Sequence, residues 1–87
     1  MTTQTATIVN KLGLHARPSA QLVSVTSRFA SEVFITKDGL RVNAKSIMGV
    51  MMLAAENGSE LTIEVDGPDE DAAMEAILAV IASGFSD

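Results

Sequence analysis

Glu60-Leu61-Thr62-Ile63-Glu64-Val65-Asp66 is the stretch whose reading decides the fold. In an extended chain Leu61, Ile63 and Val65 point to one side, and Glu60, Thr62, Glu64 and Asp66 to the other. A strand with one polar face does not belong in a sheet buried on both sides. It calls for an antiparallel sheet with one face in water and one face covered.

The cover is supplied on either side of this strand. Downstream, Gly67-Pro68 breaks the chain and Asp69, Glu70 and Asp71 crowd the first turn of a helix, where negative charge is favourable. Ala73, Met74, Ile77, Val80 and Ile81 give that helix an apolar stripe, and Gly84 can terminate it. Upstream, Asn57-Gly58-Ser59 is a turn, preceded by a short helix over residues 47–53 with Ser46 as its N-cap. Before that, Val33-Phe34-Ile35 and Leu40-Arg41-Val42-Asn43 are strands joined through Asp38-Gly39, a strong hairpin signal. Residues 16 to about 29 carry apolar positions (Ala16, Ala20, Val23 and Leu22, Val25, Phe29) at helical spacing, and residues 5–9 read as the first strand.

The order is β-α-β-β-α-β-α, and the helices must bury their stripes against the sheet's dry face. The expected fold is therefore an α/β two-layer open-faced sandwich, a four-stranded antiparallel sheet covered on one face by three helices. A chain of 87 residues forms one domain, 1–87, large enough to fold without a staple.

Composition removes several classes of function. Cysteine is absent and histidine occurs once, which excludes a disulfide framework and thiol chemistry and leaves little from which to build a metal site. The net charge is −5, with six scattered lysines and arginines and neither tyrosine nor tryptophan, so nucleic-acid binding is not expected. Residues 1–5 show no basic region, and the longest apolar run, residues 47–55, is too short to span a bilayer. These features place the protein in the cytosol without direct membrane insertion, as a monomer by default.

Chemistry concentrates in Gly13-Leu14-His15-Ala16-Arg17-Pro18-Ser19. Gly13 permits a tight bend after the first strand. Pro18 is tolerated only in the first turn of a helix, so the helix starts near Ala16 and His15 stands at its N-terminus. The backbone N–H groups there have no intrahelical partners and favour an anion. Arg17 adds a planar fork of donors suited to phosphate oxygens. The amides of Ala16 and Arg17 are candidate phosphate donors, and a neutral imidazole already carries a lone pair able to attack phosphorus. A solvated histidine and a surface arginine are the plainer readings of the same residues.

Gly13 to Pro18 resembles the active-site motif of the HPr family, the histidine-containing phosphocarriers of the bacterial phosphoenolpyruvate-dependent sugar phosphotransferase system. Lys45-Ser46-Ile47-Met48-Gly49-Val50-Met51-Met52-Leu53 resembles that family's second helix with its regulatory serine. The resemblance spans essentially the whole chain and implies the strand order 1-4-2-3. It implies that the δ nitrogen of His15 takes a phosphoryl group from phosphorylated enzyme I and gives it to the IIA units of sugar permeases, with Arg17 orienting the group and no cofactor or metal taking part. The chain is then an intermediate in a relay more than an enzyme. The resemblance also implies phosphorylation of Ser46 by a dedicated serine kinase/phosphorylase, tied to carbon catabolite control through a transcription regulator. It implies docking contacts at Ile47 and Met48 as well. The run of apolar residues is too rich for one buried face, so the surplus, Met51 included, should be exposed to partners, with Lys45 as an added charge. Two other roles fit less of the sequence: a Ser46-controlled regulatory binding module, and a carrier in a nitrogen-related or dihydroxyacetone-kinase relay. Three departures from the family pattern stand out: Ser19 where alanine is common, Lys11-Leu12 before the site, and Ala55-Glu56-Asn57 in place of a more glycine-rich segment.

Overall fold

Strands form where alternation supplies a buried face, and their pairing then sets their lengths. A computed structural model describes residues 1–86; residue 87, the last of the expected domain 1–87, lies outside the described residues. The strands are β1 (Thr2–Thr7), β2 (Glu32–Lys37), β3 (Leu40–Asn43) and β4 (Glu60–Asp66). The helices are α1 (Ala16–Thr26), α2 (Ile47–Met52) and α3 (Glu70–Ala82), followed by a 3-10 turn over Gly84–Ser86. The sheet order is β1-β4-β2-β3 with every neighbouring pair antiparallel.

The strand that decided the fold lies inside the sheet, between β1 and β2. Leu61, Ile63 and Val65 are buried beside Val33 and Ile35 of β2. On the other face, Glu64 of β4 accepts a hydrogen bond from Arg41 Nε at 3.1 Å, and the Arg41 guanidinium lies 3.8 Å from the centre of the Phe34 ring. An arginine stacked on an aromatic ring and held by a carboxylate keeps the apolar Phe34 compatible with an open face. Asp38 and Gly39 both have positive φ, +50° and +83°, the geometry of a type I′ hairpin turn.

Three boundaries differ from the sequence reading. The first strand runs from Thr2 to Thr7, not over residues 5–9, because pairing along β4 starts at Thr2↔Val65. Ile8 still exchanges backbone bonds with Ser59 and Gly58, and Val9 then leaves the ladder. The first helix stops at Thr26; Arg28 and Phe29 follow in tighter turns bonded to Val25 and Thr26. The second strand extends on both sides of Val33–Ile35, carried by its two partners.

The helices pack so that α1 lies between α3 and α2, with α3 over β1 and β4 and α2 beside β3. The buried stripe of α1 is Pro18, Ser19, Leu22, Val25 and Thr26, whereas Ala16 and Ala20 of the expected apolar face are exposed. Burial of two hydroxyl residues is permitted because each has a partner. Thr26 Oγ1 donates to Ala44 O at 2.8 Å, which ties α1 to the segment leading into α2. Phe85, buried in a left-handed conformation (φ +57°), closes the end of the core beyond α3.

Asp69 is the N-cap of α3, yet its carboxylate makes no capping bond to its own helix. It reaches the connection between α1 and β2, accepting from Ala30 N–H and Ser31 N–H at 2.9 Å each and from Ser31 Oγ at 2.5 Å. Gly67 makes this approach feasible, since a Cβ there would lie 2.6 Å from Ser31 Cα. The Ser31 hydroxyl, followed by the Ala30 amide, holds the Asp69 carboxyl below its ordinary value, against the opposing effect of desolvation. A lowered folded-state pKa contributes stability above the unfolded value of about 3.9 and loses it as pH falls through the folded value. Asp69→Asn is therefore expected to be less stable than the native chain at pH 7. In urea melts at decreasing pH, the difference should narrow below about pH 4 as the native carboxylate protonates.

Candidate phosphoryl-accepting site

The loop from β1 to α1 is fastened at nearly every peptide group. Asn57 Nδ2 donates to Val9 O at 3.1 Å and Asn10 O at 3.3 Å. Asn10 Nδ2 donates to Gly13 O at 2.7 Å within the loop. Leu14 N–H donates to Ala55 O at 2.8 Å, across to the segment that leaves α2. Ser19 completes the set: its Oγ donates to Leu14 O at 3.1 Å and its N–H donates to His15 O at 3.0 Å.

This backbone delivers His15 to the N-cap of α1 in an extended conformation (φ −75°, ψ −172°), and its side chain makes no capping bond. The imidazole is half-buried, and Ala16 and Arg17 beside it are exposed. The amides of Ala16 and Arg17 precede the first intrahelical bond, which runs from Ser19 to His15, and Pro18 has no amide to offer. His15 thus stands at a helix N-terminus, two residues before the exposed Arg17, which has no ion-pair partner among the described residues.

Gly13 is required by close approach. Its φ is +69°, and a Cβ there would overlap Ala55 O and stand 2.8 Å from Glu56 Cα. The facing segment of this seam also has a left-handed residue, Ala54 (φ +50°), directly after the C-cap Leu53. Alanine there carries strain that glycine would relieve.

Ser46 is the N-cap of α2, exposed, with its Oγ accepting from Gly49 N–H at 3.1 Å. Within α2 only Val50 is buried, and Leu53 anchors its end. Ile47, Met48, Met51 and Met52 are all exposed, so the helix that packs along α1 turns most of its apolar side chains outward. Lys45 differs from a free surface charge: its Nζ donates to Phe29 O at 2.8 Å, joining the entrance of α2 to the turn after α1.

The structure thus brings His15, Ala16 and Arg17 to one helix end and places Ser46 with the apolar surface on the adjacent helix. The supporting residues Asn10, Ser19, Asn57 and Ala54 were not assigned a role in the site by sequence reading. Ser19 had a signal, a hydroxyl where the motif favours alanine. Asn57 had been absorbed into a turn, and its reach to residues 9 and 10 depends on tertiary structure.

An antiparallel open-faced sandwich with a histidine at the N-cap of its first helix is the class of small protein to which this chain belongs. Comparison with known proteins names the class. The family model described as "PTS HPr component phosphorylation site" matches residues 2–83. The chain is 58% identical over 81 residues to the phosphocarrier protein HPr of Cupriavidus necator, covering 93% of this chain and 91% of that protein. It superposes on the crystal structure of HPr-C-His from Thermoanaerobacter tengcongensis with a TM-score of 0.96 at 42% identity, covering 100% and 98% of the two chains. The crystal structure of Crh from Bacillus subtilis, a catabolite repression protein described as a dimer with a swapped domain, matches with a TM-score of 0.78 at 45% identity, covering 97% of each chain. The chain belongs to the HPr family of phosphocarrier proteins.

The seam predicts opposite effects for two small substitutions. Gly13→Ala should destabilise the chain by about 2 kcal/mol or more, from overlap and a left-handed backbone. Ala54→Gly should stabilise it by roughly 0.5 to 1 kcal/mol, strain relief partly offset by unfolded-state entropy. Urea midpoints at unchanged m-value measure both.

Proposed function

We propose that His15 is the phosphoryl-accepting residue of a sugar phosphotransferase relay, receiving from phosphorylated enzyme I and donating to the IIA units of sugar permeases. The observation that carries this reading is the position of the imidazole: at the N-cap of α1, unused for capping, before the amides of Ala16 and Arg17. The Nδ1 lone pair attacks phosphorus, a nitrogen–phosphorus bond forms as the donor's bond to phosphorus breaks, and the other ring nitrogen keeps its proton. The amides and the Arg17 guanidinium stabilise the charged oxygens during transfer. The step needs no cofactor or metal, and the chain acts as a relay intermediate.

Ser46 is the proposed regulatory site. A phosphate there enters an N-terminus that already places Gly49 N–H on the Ser46 oxygen, so the fold persists while about two negative charges appear beside the partner surface. A serine kinase/phosphorylase and a catabolite-control transcription regulator are the corresponding partners. Ile47, Met48 and Met51 supply docking contacts for enzyme I and IIA, and Lys45 holds the entrance of α2 in place. Residues 1–87 act in the cytosol as a single, monomeric domain; one chain carries His15, Arg17 and the α2 surface together. No helix among the described residues is long and apolar enough to cross a membrane.

The likeness to Crh favours a second reading, a regulatory module controlled through Ser46. His15 with Arg17 and Pro18 speaks against it as the sole role. The stretch from Ser46 to Leu53 likewise favours the sugar relay over a nitrogen-related or dihydroxyacetone-kinase relay.

Incubation with phosphoenolpyruvate and enzyme I should add one phosphate to the native chain, visible by intact mass and lost in acid, and none to His15→Ala. No gain from an active donor would leave the Ser46-controlled module as the better account. Sedimentation of the same sample should give a single-chain mass.

A further inference from the structure

We propose that α2 is a peroxide-sensitive modification site, in which Met48 and Met52 are oxidised to sulfoxides and the oxidised helix loses its apolar partner surface. The effect on docking rests on the reading of α2 given under the proposed function. The chemistry rests on where the sulfurs lie.

The chain has five methionines and no cysteine, so thioethers are its only sulfur. Three of them, Met48, Met51 and Met52, belong to the six residues of α2. Exposure separates them from the core methionine: Met48 is 71% exposed, Met52 65% and Met51 38%, against 5% for Met74 on α3. Met48 and Met52 are four residues apart, and Met48 and Met51 three, which makes them neighbours along the helix surface. Oxidation at one therefore alters a surface shared with the others. Val50 and Leu53, which hold the helix to the core, contain no oxidisable atom.

The oxidant is a hydroperoxide. A thioether sulfur attacks the distal peroxide oxygen, a sulfur–oxygen bond forms, the oxygen–oxygen bond breaks, and water (or an alcohol) leaves after proton transfer. Sulfur is oxidised by two electrons and the peroxide reduced by two. The product is a polar, chiral side chain where a flexible apolar one stood. Thiol-dependent sulfoxide reductases reverse the change by returning two electrons and releasing the oxygen as water. Since the exposed sulfurs are not part of the core, the fold survives while an apolar partner surface must now desolvate a sulfoxide.

The test uses the full native chain and hydrogen peroxide. Peptide mass mapping at increasing peroxide should show oxygen gained first at Met48, Met52 and the equally exposed Met1, later at Met51, and last at Met74. The oxidised chain should melt as the native one does, yet its KM as phosphoryl acceptor from enzyme I should rise roughly fivefold or more. Treatment with the reductases for both sulfoxide epimers should restore it. The double variant M48L/M52L is judged against itself: at a dose that oxidises Met1 and leaves Met51 unmodified, peroxide should leave its own KM unchanged. Oxidation of Met74 in step with Met48, or an unaltered KM with Met48 and Met52 fully oxidised, overturns the proposal while leaving the carrier reading intact. A native chain that accepts no phosphoryl group overturns both.

Discussion

The hydrogen bond from Leu14 N–H to Ala55 O, with Gly13 pressed against the same carbonyl, is the contact on which the functional face depends. It joins two segments about forty residues apart in sequence, the entrance to α1 and the exit from α2. Sheet pairing alone would fix neither segment, because β1 ends at Thr7 and α2 is separated from β4 by a turn. With the seam in place, the last free peptide before His15 is anchored on one side by Ala55 and on the other by Ser19. A histidine on a loop this constrained has little backbone freedom left to lose. The same contact explains why the sharpest glycine requirement in the chain falls two residues before the histidine and not at it.

Alternation made most of the fold legible. β4 announced both its own conformation and the one-sided burial of the sheet, and Asp38-Gly39 announced the β2–β3 hairpin. Pro18 and Ser46 each located a helix start correctly. Strand lengths were less legible because they are set by partners: Thr2 to Gln4 carry no apolar pattern, and they are strand because β4 offers a ladder for them. The strand order likewise came from family resemblance, since nothing in the residues of β1 says that it pairs with β4 and not with β2. The stripe of α1 was misread for a related reason. Ser19 and Thr26 look like surface residues by polarity, and their burial depends on carbonyls of Leu14 and Ala44 that folding brings to them.

In the site itself, the residues of the helix N-terminus were legible and those that fasten the loop before it were not. His15, Arg17 and Pro18 are recognisable because helix N-terminal chemistry is local. Asn57 acts across the fold, and asparagine beside glycine in sequence is first of all a turn signal. Asp69 shows the same limit in reverse. Its neighbours Glu70 and Asp71 suggest helix-dipole chemistry, but its carboxylate is occupied with Ala30 and Ser31 on another connection. The lowered pKa of Asp69 is therefore a tertiary property, even though the residue sits where an acidic N-cap is expected.

A helix of six residues has no stability of its own in water. α2 persists because Val50 and Leu53 enter the core, Ser46 satisfies an amide at one end, and the seam to Leu14 and the bond from Lys45 to Phe29 fasten both approaches. Those attachments leave Ile47, Met48, Met51 and Met52 with almost no part in holding the helix. Their side chains can be selected for what they meet outside, and unbranched methionine fits several partner surfaces with little penalty. The fastening also works in the other direction. Since Ala55 follows α2 and bonds the residue before His15, any displacement of α2 would move the histidine loop with it, so the exposed surface of the helix and His15 share one rigid framework.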